Sequence, residues 1–283
     1  MGYRIIINII FTVAMCCSLG SCETVDLRGM FISYESINSR FEQSMQWNSI
    51  HVDRELVVNS DEYTIFTMSD SHVGGTQNLE AFFGNAIYAN AIAAVMAGDL
   101  TSGQADDYEV FEQHLPDPGT IDLFPLVGNH DLYYNGWEQF YSRFGPSTYM
   151  FTVNTPVAKD LFICLDSGSG TLGSKQLDWL KGVLEIERPE YRRCVIFTHN
   201  NLFRFRRTAA TNPLVEELHV LMELFIENNV DMVITGHDHL KDSEIFGNTI
   251  HIILDALKDD FIDAGYMELH ITNGTIDYSF INL

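Results

Sequence analysis

Short apolar runs alternate with stretches of helical spacing over most of the chain. Runs typical of buried strands lie at residues 65–68, 92–97, 124–127, 161–165, 195–197 and 232–235. Between them apolar residues recur every three or four positions, as at Leu79, Phe83 and Ile87, which indicates helices. A further helix is indicated by Asn212 as cap and Pro213 at its first position. The alternation predicts an α/β layered fold.

Two parts of the chain break this alternation. Residues 148–153 and 161–165 resemble neighbouring strands with no helix between them. After His239 the pattern contains strands only, at residues 243–246, 249–254, 266–271 and 275–280. A second sheet that faces the first is the expected place for these C-terminal strands.

The chain divides into a leader, a tether and one large domain. Arg4 precedes an apolar run at residues 5–15 that is too short to span a bilayer, so residues 1–22 are predicted to be a signal peptide. Leu19-Gly20-Ser21-Cys22 resembles a bacterial lipobox, which predicts an acylated Cys22 and a cell-envelope lipoprotein, periplasmic or surface-facing; ordinary secretion is the alternative. Residues 23–60 are weakly periodic and predict a tether with one strand at 55–58. Residues 61–283 are predicted to form the domain.

The composition changes this picture in one respect, which is charge. Of 283 residues, 46% are hydrophobic, which is ample for a core, and the formal net charge is -23. Such a chain repels polyanions, which argues against nucleic acid as a partner. An acidic protein that handles phosphate needs a local inversion of potential, and bound divalent cations provide one. Cys164 and Cys194 lie in apolar runs and are predicted to be buried thiols.

Five of the predicted strands end in residues that can bind metal or move protons. The segments that follow them are Asp70-Ser71-His72, Gly98-Asp99, Gly128-Asn129-His130-Asp131, Thr198-His199 and Gly236-His237-Asp238-His239. In α/β sheets, ligands collect outside the carboxyl ends of the strands. The pattern therefore predicts a metal site at one edge of the sheet.

Mixed imidazole and carboxylate ligands favour Zn, Fe, Mn or Ni. Two such ions about 3.5 to 4 Å apart can clamp a phosphate, and they need a bridging carboxylate and roughly three further ligands each. Seven residues supply this set, namely Asp70, His72, Asp99, Asn129, His199, His237 and His239.

The five segments in this order resemble the calcineurin-like metallophosphoesterase superfamily. The resemblance covers residues 63–254 and implies a two-sheet αββα sandwich with a dinuclear metal centre. It also implies that Asp70, His72 and His239 hold the first ion, that Asn129, His199 and His237 hold the second, and that Asp99 bridges the two.

The resemblance further implies two catalytic residues. His130 would be the histidine that is not a ligand and that protonates the leaving group, and Asp131 would orient it. From the sequence alone, Asp131 could instead cap the next helix.

Three residues near these segments are candidate substrate contacts. Asn200 follows His199 where many family members have His or Pro, and its amide can donate to a phosphate oxygen; it could equally shape the loop. Arg204 lies in a basic cluster with Arg206 and Arg207, which could bind a second phosphate or balance nearby acids. Tyr133 could wall a substrate pocket, whereas Trp137 is predicted to pack in the core.

Gly168-Ser169-Gly170-Thr171-Leu172-Gly173 fits the dinucleotide-binding pattern, but it falls mid-chain at a sheet edge that the metal segments already occupy. Dinucleotide binding is therefore not predicted here.

The metal segments and the resemblance together predict an exported, metal-dependent phosphoesterase that hydrolyses a phosphomonoester or diester of a small molecule or lipid. The alternative is a cell-surface binding protein that keeps the metals but has no turnover. The sequence indicates no oligomeric state.

Overall fold

The computed structural model of this chain describes residues 35–51, 54–203 and 214–283. Three of the predicted features lie outside these ranges. They are the signal peptide with Cys22, residues 23–34 of the tether, and Arg204 with its basic neighbours. None of the helices in the described ranges combines the length and apolar character needed to cross a bilayer.

The described residues form strands and helices that alternate through the first two thirds of the domain. The strands are β1 (Arg54–Val57), β2 (Tyr63–Met68), β3 (Ala93–Ala97), β4 (Asp122–Leu126), β5 (Tyr149–Asn154), β6 (Lys159–Cys164), β7 (Arg193–Phe197), β8 (Met232–Thr235), β9 (Asp242–Phe246), β10 (Thr249–Ile253), β11 (Gly265–Ile271) and β12 (Ile276–Asn282). The helices are α1 (Ile37–Ile50), α2 (Gln77–Tyr88), α3 (Ala105–Gln113), α4 (Gly136–Phe144), α5 (Gly173–Gly182) and α6 (Val215–Glu227). A 3-10 helix, His130–Asn135, follows β4.

The strands make two mixed sheets that pack face to face. One has the order β1-β5-β6-β7-β8-β10-β9, and the other has the order β12-β11-β2-β3-β4. Buried side chains of both sheets, such as Ile65, Val95, Phe151 and Phe197, form the central layer. Two further apolar clusters lie on the outer faces, where α2, α3 and α4 cover the smaller sheet and α5 and α6 cover the larger one. This confirms the predicted two-sheet αββα sandwich.

The direction of the strands brings the polar segments together. β2, β3 and β4 are parallel in the smaller sheet, and β6, β7 and β8 are parallel in the larger one. Parallel neighbours end at the same edge of a sheet, so the loops after β2, β3, β4, β7 and β8 converge.

The C-terminal strands do not form the second sheet by themselves. β9 and β10 extend the larger sheet beside β8, whereas β11 and β12 extend the smaller sheet beside β2. The prediction of one separate C-terminal sheet was therefore wrong in its pairing, although the four strands are present. Both sheets gain an antiparallel edge from this split.

The segment predicted as a tether contains a helix. Residues 37–50 form α1, with Ser36 as N-cap, and the predicted strand is present as β1. Arg40, Phe41 and Ser44 of α1 are buried. α1 is thus packed on the domain.

The two cysteines of the domain are confirmed as buried free thiols. Cys164 and Cys194 lie on the paired strands β6 and β7, but Cys194 faces Leu161 and Cys164 faces Phe197 in the register. Burial raises the pKa of each thiol to about 12, which makes both poor nucleophiles.

Candidate metal centre

The loops after β2, β3 and β4 and those after β7 and β8 are fastened to one another by hydrogen bonds. The backbone N–H of Asp70 donates to Gly98 O at 3.0 Å, and that of His72 donates to Asp99 O at 3.0 Å. The backbone N–H of His237 crosses between the sheets and donates to Asp70 Oδ2 at 2.8 Å. The sheet edge therefore has a rigid backbone from which the polar side chains extend.

Five of the seven predicted ligands have an unusual backbone conformation. The φ angles, all positive, are 55° for Asp70, 39° for His72, 52° for Asp99, 73° for His237 and 55° for His239. Non-glycine residues seldom adopt this region, and such residues cluster at functional sites. The positive φ angles therefore indicate that the functional site lies at this edge of the two sheets.

Asp70, His72 and His239 form a first group of candidate ligands. His239 Nε2 lies 3.1 Å from Asp70 Oδ1, and His72 Nε2 lies 3.7 Å from the same oxygen. The two Nε2 atoms are 3.1 Å apart. The other oxygen, Asp70 Oδ2, is held by Ser69 Oγ at 2.6 Å, so Oδ1 is the one presented to the histidines.

Asp99, His199 and His237 form a second group, with Asn129 in the loop beside it. His199 Nδ1 donates to Ala97 O at 2.9 Å, because a carbonyl only accepts, and this leaves Nε2 as the ligating nitrogen. That Nε2 lies 3.2 Å from Asp99 Oδ2. Asn129 Oδ1 is buried and makes no hydrogen bond within the protein.

Asp99 belongs to the second group and also lies close to His72 of the first. Its Oδ2 lies 3.2 Å from His199 Nε2 and 3.7 Å from His72 Nε2. Its Oδ1 accepts the backbone N–H of His130 at 2.7 Å, which fixes the rotation of the carboxylate. A carboxylate oxygen in this position can be shared between two cations.

The charges of the buried acids and imidazoles are strongly coupled. Burial alone would raise the pKa values of Asp70 and Asp99, but nearby histidines outweigh burial and hold both well below the ordinary value. Burial would likewise lower the pKa of His199, but the Asp99 carboxylate raises it to about 9. A cation bound at His199 Nε2 would displace that proton.

These residues fit bound divalent metal. The buried Asn129 Oδ1 has no partner in the protein, His199 has its second nitrogen fixed by a carbonyl, and the donor set is the imidazole and carboxylate mixture that transition metals favour. Among the described residues, the groups able to hold a metal ion are Asp70 with His72 and His239, Asp99 with His199 and His237, and His72 with Asp99 and His130.

Glycine is required where the loops approach closely. A Cβ on Gly128 would lie 2.1 Å from Asp99 Oδ1, and a Cβ on Gly236 would lie 1.8 Å from Ser69 Oγ. The glycine that precedes Asn129 and the one that precedes His237 therefore permit the ligands to converge.

His130 lies at this centre between two rings. Its ring centroid is 4.6 Å from that of His72 and 4.7 Å from that of Tyr133. Tyr133 also contacts the candidate ligand Asn129, whose Nδ2 donates to the Tyr133 hydroxyl at 3.3 Å. Both predicted residues are thus beside the metal groups.

Asp131 joins two loops of the centre. Its carboxylate accepts hydrogen bonds from the backbone N–H groups of Leu100, Thr101 and Gly128, at 2.9 to 3.1 Å, and from Thr101 Oγ1 at 3.2 Å. Burial, and then the charge of Asp99, raise its pKa to about 6, against the effect of the backbone donors. Asp131 fastens the loop after β3 to the loop after β4, and its predicted role toward His130 stays a prediction.

The remaining candidate residues have mixed outcomes. Asn200 is fully buried beside His199, and its role toward substrate stays a prediction. Trp137 is confirmed as a core residue, only 2% exposed. The acidic loop at residues 255–263 is tied to the rest of the domain, because Asp259 accepts the backbone N–H groups of Gln77 and Asn78 at the start of α2 and Asp255 pairs with Lys241.

The same loop contains a residue that the sequence analysis missed. The Phe261 ring lies 6.1 Å from that of His239. Phe261 follows no strand of the site, and its neighbours Asp259, Asp260 and Asp263 gave no signal of an aromatic contact with the centre.

The histidines that match no segment lie outside the metal-capable groups of the described residues. They are His51, His114, His219, His251 and His270. His251, for example, is buried against the rings of Phe225 and Phe246.

The fold and the site define a class of protein, namely a two-sheet α/β sandwich that presents histidine, aspartate and asparagine ligands for metal at one edge. The family model of the calcineurin-like phosphoesterases matches residues 63–241, which is more than half of the chain. The protein belongs to this family, which implies a hydrolase that acts on phosphoesters. A comparison with curated proteins found no match.

Solved structures of low sequence identity share the fold. One is GAP50, described as the anchor in the inner membrane complex of Plasmodium, with a TM-score of 0.62 and 15% identity over 78% of this chain and 84% of that one. A dimetal phosphatase from Danio rerio has a TM-score of 0.61 and 14% identity over 78% and 96% of the two chains. A putative 5'-nucleotidase from Staphylococcus aureus has a TM-score of 0.50 and 16% identity, and the match covers 78% of this chain and 53% of that one.

Proposed function

We propose that the protein hydrolyses phosphomonoesters or phosphodiesters with two metal ions. The observation that carries the proposal is the position of Asp99 Oδ2 between His199 Nε2 and His72 Nε2. Asp70, His72 and His239 would hold one ion, and Asn129, His199 and His237 would hold the other. Asp99 would be shared. The donor set suits Mn, Fe, Zn or Ni.

Bound ions of this kind acidify a coordinated water toward neutral pKa and neutralise the charge of a phosphate. The chain holds these ligands in place through the hydrogen bonds that Asp70 Oδ2 and Asp99 Oδ1 accept and the one that His199 Nδ1 donates. The positive charge of the bound ions would let a chain of net charge -23 accept an anionic substrate.

His130 would donate a proton to the oxygen of the leaving group. Its ring stands beside His72, next to the proposed ions, and imidazole is the side chain whose ordinary pKa suits proton transfer near neutrality. The geometry also permits His130 to act as a ligand, since it forms a metal-capable group with His72 and Asp99. The two roles differ in whether loss of the His130 imidazole lowers metal content.

The substrate would carry an organic group next to its phosphate. Tyr133 lies on the His130 side of the centre and Phe261 lies on the His239 side, so the site has an aromatic ring at each flank. Such rings contact aryl, sugar or acyl groups rather than free phosphate. Asn200 and Arg204 remain proposed contacts to phosphate oxygens.

The proposal is tested by an activity panel. The full chain is stripped of metal with a chelator, reconstituted separately with Mn, Zn, Fe or Ni, and assayed on phosphomonoesters, phosphodiesters and nucleotides. We expect turnover of at least one class that depends on added metal. Metal binding without turnover of any substrate would contradict the proposal and favour a metal-retaining binding protein.

We also propose that the protein is exported and anchored through an acylated Cys22. The support is the apolar run at residues 5–15 and the lipobox-like sequence that ends at Cys22. Expressed from its full-length gene in a bacterium, the wild type is expected to partition into detergent, whereas Cys22→Ala stays in the aqueous phase. Cys17→Ala is the control and should behave like the wild type. Equal partitioning of the wild type and Cys22→Ala would contradict the anchor.

A further inference from the structure

Helix α1 contains an arginine, Arg40, whose side chain is buried in the domain. α1 precedes residues 63–241, which match the family, and the Arg40 side chain is 0% exposed. Its guanidinium makes a two-pronged ion pair with Asp166, with Nε to Oδ2 at 2.7 Å and Nη2 to Oδ1 at 3.1 Å. Nη2 also donates to Ser169 Oγ at 3.0 Å. Arg40 therefore fastens the loop that follows β6 at two of its residues.

That loop supports the backbone of His199. Ser167, which directly follows Asp166, accepts the backbone N–H groups of His199 at 3.1 Å and Asn200 at 2.9 Å through its Oγ. The hydroxyl of Thr198 donates to the same oxygen at 2.8 Å. The position of the His199 peptide thus depends on the position of Ser167.

The same loop packs against the segment that carries Asn129. A Cβ on Gly168 would lie 2.7 Å from Gly128 O and 2.9 Å from Leu132 Cδ1. Only glycine fits this contact, which explains the first glycine of the dinucleotide-like pattern at residues 168–173 without any nucleotide. The loop after β6 therefore contacts two of the three segments that supply the proposed ligands of the second ion, those of Asn129 and His199.

We propose that Arg40 is a positioning residue for the metal ion held by Asn129 and His199. The inference rests on the proposed function, because it assumes that those residues bind metal. Arg40 acts through its ion pair with Asp166, the residue directly before Ser167. Arg40 itself touches neither Asn129 nor His199. Partners that orient metal ligands from outside the coordination sphere typically change metal affinity by about 10- to 100-fold.

The chain offers a matched control at the opposite end of β6. Arg192 makes an equivalent two-pronged pair with the buried Asp160, with Nε to Oδ1 at 2.9 Å and Nη2 to Oδ2 at 2.6 Å. Removal of either arginine leaves a buried carboxylate without its cationic partner, so both changes destabilise the fold. Only the Arg40 pair is connected to the proposed centre.

The experiment compares Arg40→Met and Arg192→Met with the wild type. Each full chain is stripped of metal and titrated with Mn²⁺ by calorimetry, well below its unfolding temperature. We expect Arg40→Met to weaken one of the two binding constants by about 10-fold or more, whereas Arg192→Met changes both by less than about threefold. Thermal unfolding of the metal-free proteins should show both variants destabilised.

Ser167→Ala is the second variant, for the case in which Arg40→Met does not fold. This change removes the hydroxyl that links the loop to His199 and leaves the ion pair between Arg40 and Asp166 in place. It should weaken the same constant by about 10-fold. If the wild type binds two ions and either folded variant binds them with unchanged constants, the inference is overturned and the proposed function stands. If the wild type binds no metal, the proposed function fails and this inference fails with it.

Discussion

We expect Asp99→Asn to lower kcat/KM by about 10³-fold or more and to weaken the binding of both metal ions. In the wild type, Asp99 Oδ1 accepts the His130 backbone N–H, and Oδ2 faces His199 and His72. The asparagine oxygen has to keep the first bond, so the amide nitrogen takes the place of Oδ2. An amide nitrogen does not ligate a cation, so the variant loses several kcal/mol of the stabilisation that the ions give to the transition state. Each tenfold in rate corresponds to about 1.36 kcal/mol, which gives the expected loss of about 10³-fold.

The matched control is Asp160→Asn. Asp160 is as deeply buried as Asp99, but it lies at the start of β6 and accepts from Arg192 and the Tyr63 hydroxyl. This variant should lose stability and keep its metal. The measurements are metal content by mass spectrometry of the purified chains and kcat/KM with the best substrate of the panel. Full metal content and wild-type turnover in Asp99→Asn would place Asp99 outside the centre.

The polar segments could be predicted because their chemistry is local. Each follows an apolar run, and parallel strands end at the same edge, so Asp70 and Asp99 had to lie near one another once β2 and β3 paired in parallel, as did His199 and His237 once β7 and β8 paired. The positive φ angles and the close approach at Gly128 could not be read from spacing, since they depend on the loops of two sheets meeting.

The features that were missed depend on long-range contacts. α1 was not indicated because its buried face includes Arg40 and Ser44, which breaks the apolar periodicity that signals a helix. The pairing of β10 with β8, rather than with β11, is a choice between strands of similar pattern. The bonds that Asp131 accepts from residues 100, 101 and 128 were not predicted, because they join the loops of two different strands.

His130→Ala is expected to slow the hydrolysis of an alkyl phosphoester by about 10² to 10⁴-fold and to leave metal content unchanged. The reason is that an alkoxide is a poor leaving group and needs a proton as it departs. A 4-nitrophenyl ester releases a stable phenolate, so its hydrolysis should be slowed much less. The measurement is kcat for the two kinds of ester in the wild type and in the variant.

Tyr133→Phe serves as the control for this experiment. Tyr133 packs at 4.7 Å from the His130 ring, so removing its hydroxyl perturbs the same side of the site without removing an imidazole. It should slow both esters to a similar, smaller extent. If His130→Ala instead lowers metal content and slows both esters equally, then His130 acts as a ligand in the group with His72 and Asp99, and the proton for the leaving oxygen has to come from another residue or from water.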